Sequence, residues 1–128
     1  MKIAIDFDGT CVKHEFPKIG GDIGAIPILK ELVANDHQLI LYTMRCNQSK
    51  FGKVLIEAVQ WFRDNEIELY ALQKDRGQEN WTTSNKCYAQ MYIDDAALGT
   101  PLIDNGIDRP YVDWIKIEKL LIEKRIIK

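Results

Sequence analysis

Asp6 and Asp8 stand two residues apart in Asp6-Phe7-Asp8-Gly9-Thr10, directly after the apolar run Ile3-Ala4-Ile5. Side chains alternate along a strand, so two acids at this spacing leave its end on the same side. In an open parallel α/β sheet, ligands bind beyond the carboxyl ends of the strands, near the point where strand order reverses. Gly9 allows the backbone an unusual turn, and Thr10 adds a hydroxyl and an amide, so this loop can hold a divalent cation and a phosphate together. A second acidic pair, Asp94-Asp95, follows the apolar run Met91-Tyr92-Ile93. Adjacent acids at the end of an apolar strand repel each other unless a cation or hydrogen-bond donors offset their charge, which points to the same chemistry.

Two further residues complete an ordered set. Thr43 closes the apolar strand Leu39-Ile40-Leu41-Tyr42, and Lys86, in Ser84-Asn85-Lys86, precedes the last core strand, with Lys74 as the alternative lysine. With D-x-D-G-T first and the acidic pair last, this set resembles the four motifs of the haloacid dehalogenase superfamily of aspartate-nucleophile phosphohydrolases, over roughly residues 1 to 105.

The resemblance implies a role for each motif residue. Asp6 would be the nucleophile, giving an aspartyl-phosphate, and Asp8 the acid that protonates the leaving oxygen and then the base that activates water. One Mg²⁺ would be held by the Asp6 carboxylate, the Asp8 main-chain carbonyl and a member of the Asp94/Asp95 pair. Asp95 is favoured as ligand or water anchor, with Asp94 orienting the metal waters. Thr43 would donate its hydroxyl to a phosphoryl oxygen, and Lys86 would bring positive charge to phosphate and Asp6. Gly9 and Thr10 are expected to face the substrate phosphate. Arg45, in Thr43-Met44-Arg45, is expected to hold a second anionic group of the substrate, or else to be a surface arginine. His14 and His37 have no companion at metal-ligand spacing and receive no role. Trp81 and Arg76, ahead of Lys86, are candidates for substrate contact, though packing and loop polarity account for them as well.

These residues need a scaffold. Apolar runs of strand length at Lys2 to Asp6, Gln38 to Tyr42, Ile67 to Ala71 and Gln90 to Ile93 alternate with helical patterns at Ile26 to Asn35, Phe51 to Asn65 and Val112 to Lys128. That alternation predicts a parallel sheet, and Ser49 is a candidate cap for the second helix. The expected architecture is a three-layer α/β/α, Rossmann-like domain spanning residues 1–128, with a mainly parallel sheet. Cys11 to Gly24 is too short for a cap domain and Leu72 to Asn85 is irregular, so no large cap is expected.

Composition narrows the partners. A formal charge of −2 with interspersed acids and bases gives no basic stripe, which argues against a nucleic-acid scaffold. No apolar run approaches the roughly 20 residues that span a bilayer. Three cysteines, Cys11, Cys46 and Cys87, form no disulfide framework, and the chain starts on a core strand, so cytoplasmic residence is the expectation. The expected activity is Mg²⁺-dependent hydrolysis of a small-molecule phosphomonoester, a sugar phosphate or a nucleotide. The T-x-R and Y-I-D-D patterns look most like small bacterial phosphatases of sugar metabolism, and an open site is compatible with a homo-oligomer. A catalytically silent binding or regulatory protein of the same fold is one alternative. A receiver-like phosphoacceptor module is the other, but a receiver places adjacent acids first, whereas here D-x-D comes first and the adjacent pair last.

Overall fold

A computed structural model describes all 128 residues, Met1 to Lys128. Four parallel strands, β1 (Lys2–Ile5), β2 (Gln38–Leu41), β3 (Ala71–Leu72) and β4 (Met91–Ile93), form one sheet in the order β3-β2-β1-β4. The register pairs Ala4 with both Ile40 and Tyr92, and Ile5 with both Leu41 and Ile93. The chain steps outward from β1 to β2 to β3 and then returns to the far side of β1. The switch in direction therefore opens a crevice between the carboxyl ends of β1 and β4. A short antiparallel hairpin, β5 (Leu102–Ile103) with β6 (Tyr111–Val112), follows.

Three helices, α1 (Ala25–Ala34), α2 (Val54–Asp64) and α3 (Trp114–Glu123), lie on one face of the sheet. Ile28, Leu29 and Leu32 of α1, Ala58 and Phe62 of α2, and Trp114, Ile117 and Leu121 of α3 share a core with Ile3, Ile5, Leu39, Leu41 and Ile93. Each fully buried aliphatic side chain of this kind contributes about 1.5 to 3 kcal/mol. Pro27 is harmless in the first turn of α1, where amides lack helical partners. Helix α2 starts later than expected: Lys53 precedes it without a side-chain cap, and Ser49 instead closes a turn with Gly52 and Phe51. The last helix is shorter than its apolar pattern, because Tyr111–Val112 joins the hairpin and Asp113 caps Trp114–Glu123 through the Lys116 amide.

The opposite face is Ala4, Ile40 and Cys87, with Tyr42, Tyr70, Ala71 and Ala89 against them. Right-handed crossovers put α1 and α2 together and force the β3-to-β4 return onto this second face. Residues 73–90 lack apolar periodicity, so the return is a coil with one 3₁₀ turn at Gln78–Asn80 rather than an α-helix. The fold is thus α/β with a mainly parallel sheet and no large cap domain, and its second outer layer is this coil. No helix is long and apolar enough to cross a membrane.

Candidate active site

The sheet ladder continues one residue past β1, with Asp6 N–H donating to Ile93 O at 3.0 Å and Tyr42 N–H to Ile5 O at 2.8 Å. This fixes Asp6 between Tyr42 and Asp94 at the crevice. Carboxylate oxygens of Asp6, Asp94 and Asp95 all lie within 4.8 Å of one another.

Thr10 ties the group together. It is fully buried, and its Oγ1 lies 2.9 Å from Asp6 Oδ2 and 3.1 Å from Asp95 Oδ1 while accepting the Asp95 amide at 3.0 Å. One hydroxyl proton serves one carboxylate at a time, so Thr10 cannot satisfy both. His14 Nε2 holds the other Asp95 oxygen at 2.9 Å, and Asp94 Oδ1 accepts the Ala96 amide at 2.8 Å. Burial, then the hydrogen bond with the Asp95 carboxyl and the charge of Asp94, push the Asp6 carboxyl up to about 8 against the opposing Thr10 and Phe7 donors. Burial and the neighbouring acids thus favour the protonated form of Asp6.

Asp8 leaves the same loop toward Arg45. The guanidinium is fully buried, and its Nε and Nη2 donate to the two Asp8 oxygens at 2.8 and 2.7 Å. Its remaining three N–H groups go to the carbonyls of Pro17, Val54 and Lys18, and its plane lies about 5 Å from the Phe7 and Phe16 rings. All five donors are committed. Arg45 is therefore neither a substrate-anion site nor a surface residue. A buried ion pair of this kind is costly to break from one side.

The loop amides behave differently from expectation. Gly9 N–H donates to Val12 O, and the Thr10 and Cys11 amides donate to Phe7 O. Gly9, at φ +81°, is covered by His14, whose Nε2 would lie 1.9 Å from an added Cβ. Gly9 and Thr10 thus build the carboxylate cluster and offer nothing to a substrate. The free groups are those of Asp8, whose main-chain N–H and C=O have no protein partner. Thr43 Oγ1 accepts the Arg45 amide at 3.1 Å, which leaves its own proton to donate. Gln73 clamps this turn, accepting the Thr43 amide and donating to the Thr43 and Arg45 carbonyls.

Lys86 is not brought to the carboxylates. It is exposed, forms no ion pair, and holds its Nζ 5.7 Å from the centroid of the Tyr92 ring on the second sheet face. Lys74 lies 3.9 Å from Glu79 instead. The coil carrying both lysines has no helix to aim them at Asp6. With Arg45 committed to Asp8 and His14 to Asp95, no lysine or arginine pairs with Asp6 or Asp94. Three clustered carboxylates are hard oxygen donors of the kind that could hold a divalent cation. All four acids are part-buried, so the cluster reaches the surface at the crevice.

His14, Gln73 and the inward role of Arg45 are what the sequence does not announce. Each acts across 28 to 81 residues of chain, beyond any local spacing rule. Gly9 signals an unusual turn in the sequence, but the His14 ring that covers it leaves no local trace.

The chain is similar to a solved structure described as "Structure of the conserved protein coded by locus from Bacteroides thetaiotaomicron", with 38% sequence identity and a TM-score of 0.77. The match covers 97% of this chain and 91% of that one. No protein-family model and no curated protein matches the chain.

Proposed function

We propose, for a chain that belongs to the family of that conserved Bacteroides thetaiotaomicron protein, a divalent-cation-dependent phosphomonoesterase activity with Asp6 as the phosphoryl acceptor. The observation that carries it is the Asp6 carboxyl, pushed up to about 8 by burial and by Asp95 and Asp94 within 4.8 Å. Such a group is unreactive until positive charge enters the cluster. The order of D-x-D-G-T, Thr43 and Asp94-Asp95, which resembles the haloacid dehalogenase motifs, favours phosphoryl transfer over structural cation binding.

Asp6, Asp94 and Asp95, with the Asp8 carbonyl, would hold Mg²⁺, which when bound supplies charge neutralisation for the carboxylates and for a phosphoryl group. Asp6 Oδ then forms the bond to phosphorus as the bond to the leaving oxygen breaks. The free Asp8 amide and the Thr43 hydroxyl are the donors available to the phosphoryl oxygens. Asp8, held by Arg45 at both oxygens, keeps a second lone pair on each. As a carboxylate it can take a proton from the water that hydrolyses the aspartyl-phosphate, while the leaving oxygen takes its proton from solvent water. Arg45 touches no reacting atom in this scheme and positions Asp8.

Phosphate release from nucleotides, sugar phosphates and p-nitrophenyl phosphate, with Mg²⁺ or with EDTA, tests the reading. Release that needs the cation and is lost in Asp6→Asn supports it. Release that survives EDTA or the substitution overturns it.

A further inference from the structure

The β3-to-β4 coil borders an open cleft of about 310 Å³ on the second face of the sheet. Trp81, Thr82, Ser84, Lys86, Cys87 and Tyr92 are among the residues that line it. Tyr92 is in register with Ala4, two residues and so about 7 Å below the level of Asp6. Its ring lies 6.3 Å from that of Tyr42, the residue before Thr43, while the Tyr88 ring, which also lines the cleft, lies 5.4 Å from Lys2 Nζ, so the cleft is bordered by residues from both ends of β1 and its neighbours.

This cleft is built rather than incidental. Gln78 is 1% exposed, and all four of its hydrogen-bonding positions are used to fix the coil. Its Oε1 accepts the Asp75 and Tyr88 amides at 3.2 and 2.8 Å, and its Nε2 donates to the Ser84 and Lys86 carbonyls at 3.3 and 2.7 Å. The Tyr92 hydroxyl donates to Cys87 O. Within this frame Trp81 remains 64% exposed, held edge-to-face against Tyr88 at 5.5 Å. That leaves much of the Trp81 ring open on a fixed backbone, where a planar group can stack on it.

The polar groups select the occupant. Thr82 Oγ1 accepts the Ser84 amide and Ser84 Oγ accepts the Lys86 amide, each at 3.1 Å, so both hydroxyls keep their protons to donate. Lys86 Nζ has no carboxylate partner. No carboxylate or carboxamide side chain lines the cleft. It is therefore rich in donors and poor in acceptors. A sugar brings a proton to place with every hydroxyl oxygen and no flat π face, whereas a nucleobase brings an apolar π face, carbonyl and ring-nitrogen acceptors and fewer N–H groups.

We propose that this cleft takes the base of a nucleoside monophosphate, stacked on Trp81 with its acceptors toward Ser84, Thr82 and Lys86, and its phosphate toward Asp6. The orientation of the phosphate rests on the reading of Asp6 given above. The stacking does not, and the two fail separately.

Calorimetric titration of the wild-type protein in EDTA, which withholds the cation that turnover needs, measures binding without turnover. Guanosine 5′-monophosphate, glucose 6-phosphate and glycerol phosphate are compared with Trp81 intact, as Trp81→Ala and as Trp81→Phe. The nucleotide is expected to bind more tightly than either other ligand, to lose about ten- to a hundredfold in affinity with Trp81→Ala, and to recover most of it with Trp81→Phe, as base stacking requires. Equal affinity for the three phosphates, nucleotide affinity indifferent to Trp81→Ala, or a Trp81 dependence confined to glucose 6-phosphate would each overturn the assignment. Phosphate release with Mg²⁺ present is a separate measurement, and its absence would count against the phosphatase reading alone.

Discussion

Removing the proton from Asp6 is what the cation-free protein resists, and stability records that resistance. The folded carboxyl titrates at about 8 and the unfolded one near 3.8. The folded state therefore binds the extra proton, and the stability this gives is complete below about pH 4 and lost as pH rises through 8. Between pH 5 and 7 the unfolded chain ionises while the folded one does not, at about 1.4 kcal/mol per pH unit, so about 3 kcal/mol is lost. For a chain of 128 residues this lowers Tm by about 10 °C. Asp6→Asn cannot ionise, and its amide can donate where the carboxyl proton stood. The variant should lack this slope and be the more stable protein at pH 7 in EDTA. Saturating Mg²⁺ should reverse the order, since a ligand at a hundred times its Kd adds about 2.7 kcal/mol to the protein that binds it. Thermal and urea unfolding at pH 5, 6 and 7, with EDTA or Mg²⁺, give the quantity needed, the difference between the two proteins. Parallel pH dependence in EDTA would refute the reasoning, because Asp6 would then be ionised in the metal-free fold.

Four other outcomes follow from the same geometry. Mg²⁺ binding at pH 7 should release close to one proton from wild type and none from Asp6→Asn, read by calorimetry in buffers of different ionisation enthalpy. Arg45→Ala leaves a part-buried Asp8 carboxylate unpaired and three carbonyls without donors, so urea unfolding should show a loss of about 3 to 5 kcal/mol. Arg45→Lys, unable to bridge both Asp8 oxygens, should fold better than Arg45→Ala while lowering kcat more than it raises KM. Gly9→Ala would place a methyl on the His14 ring at φ +81°. It should displace His14 from Asp95 and weaken Mg²⁺ binding in the same titration, with unchanged affinity counting against the brace.

The strand ends were legible because they depend on local pattern. Ile3-Ala4-Ile5, Leu39-Ile40-Leu41 and Met91-Tyr92-Ile93 are short apolar runs bounded by polar residues, and the acids at two of them meet once the sheet is parallel. The edge strand was less legible. Ile67 and Leu69 are apolar because they pack at the foot of α2, and pairing begins only at Ala71. The hairpin β5–β6 escaped notice because each strand is two residues long, too short for alternation to show. The roles of Arg45, Thr10 and Lys86 escaped for a different reason. Whether a donor faces inward depends on which carbonyls and carboxylates the fold delivers to it, and those come from the loop at Pro17 and Lys18, the start of α2, and Asp95. Spacing alone carries no trace of such partners.

The central claim is that phosphorus becomes bonded to Asp6. Acid quench of the protein during turnover with Mg²⁺, followed by peptide mass spectrometry, reads this directly. The account predicts one phosphoryl group on the peptide containing Asp6, removable by hydroxylamine as an acyl phosphate is, and absent from Asp6→Asn and from EDTA-treated protein. A phosphoryl group on another residue, or turnover with none on Asp6, would contradict it.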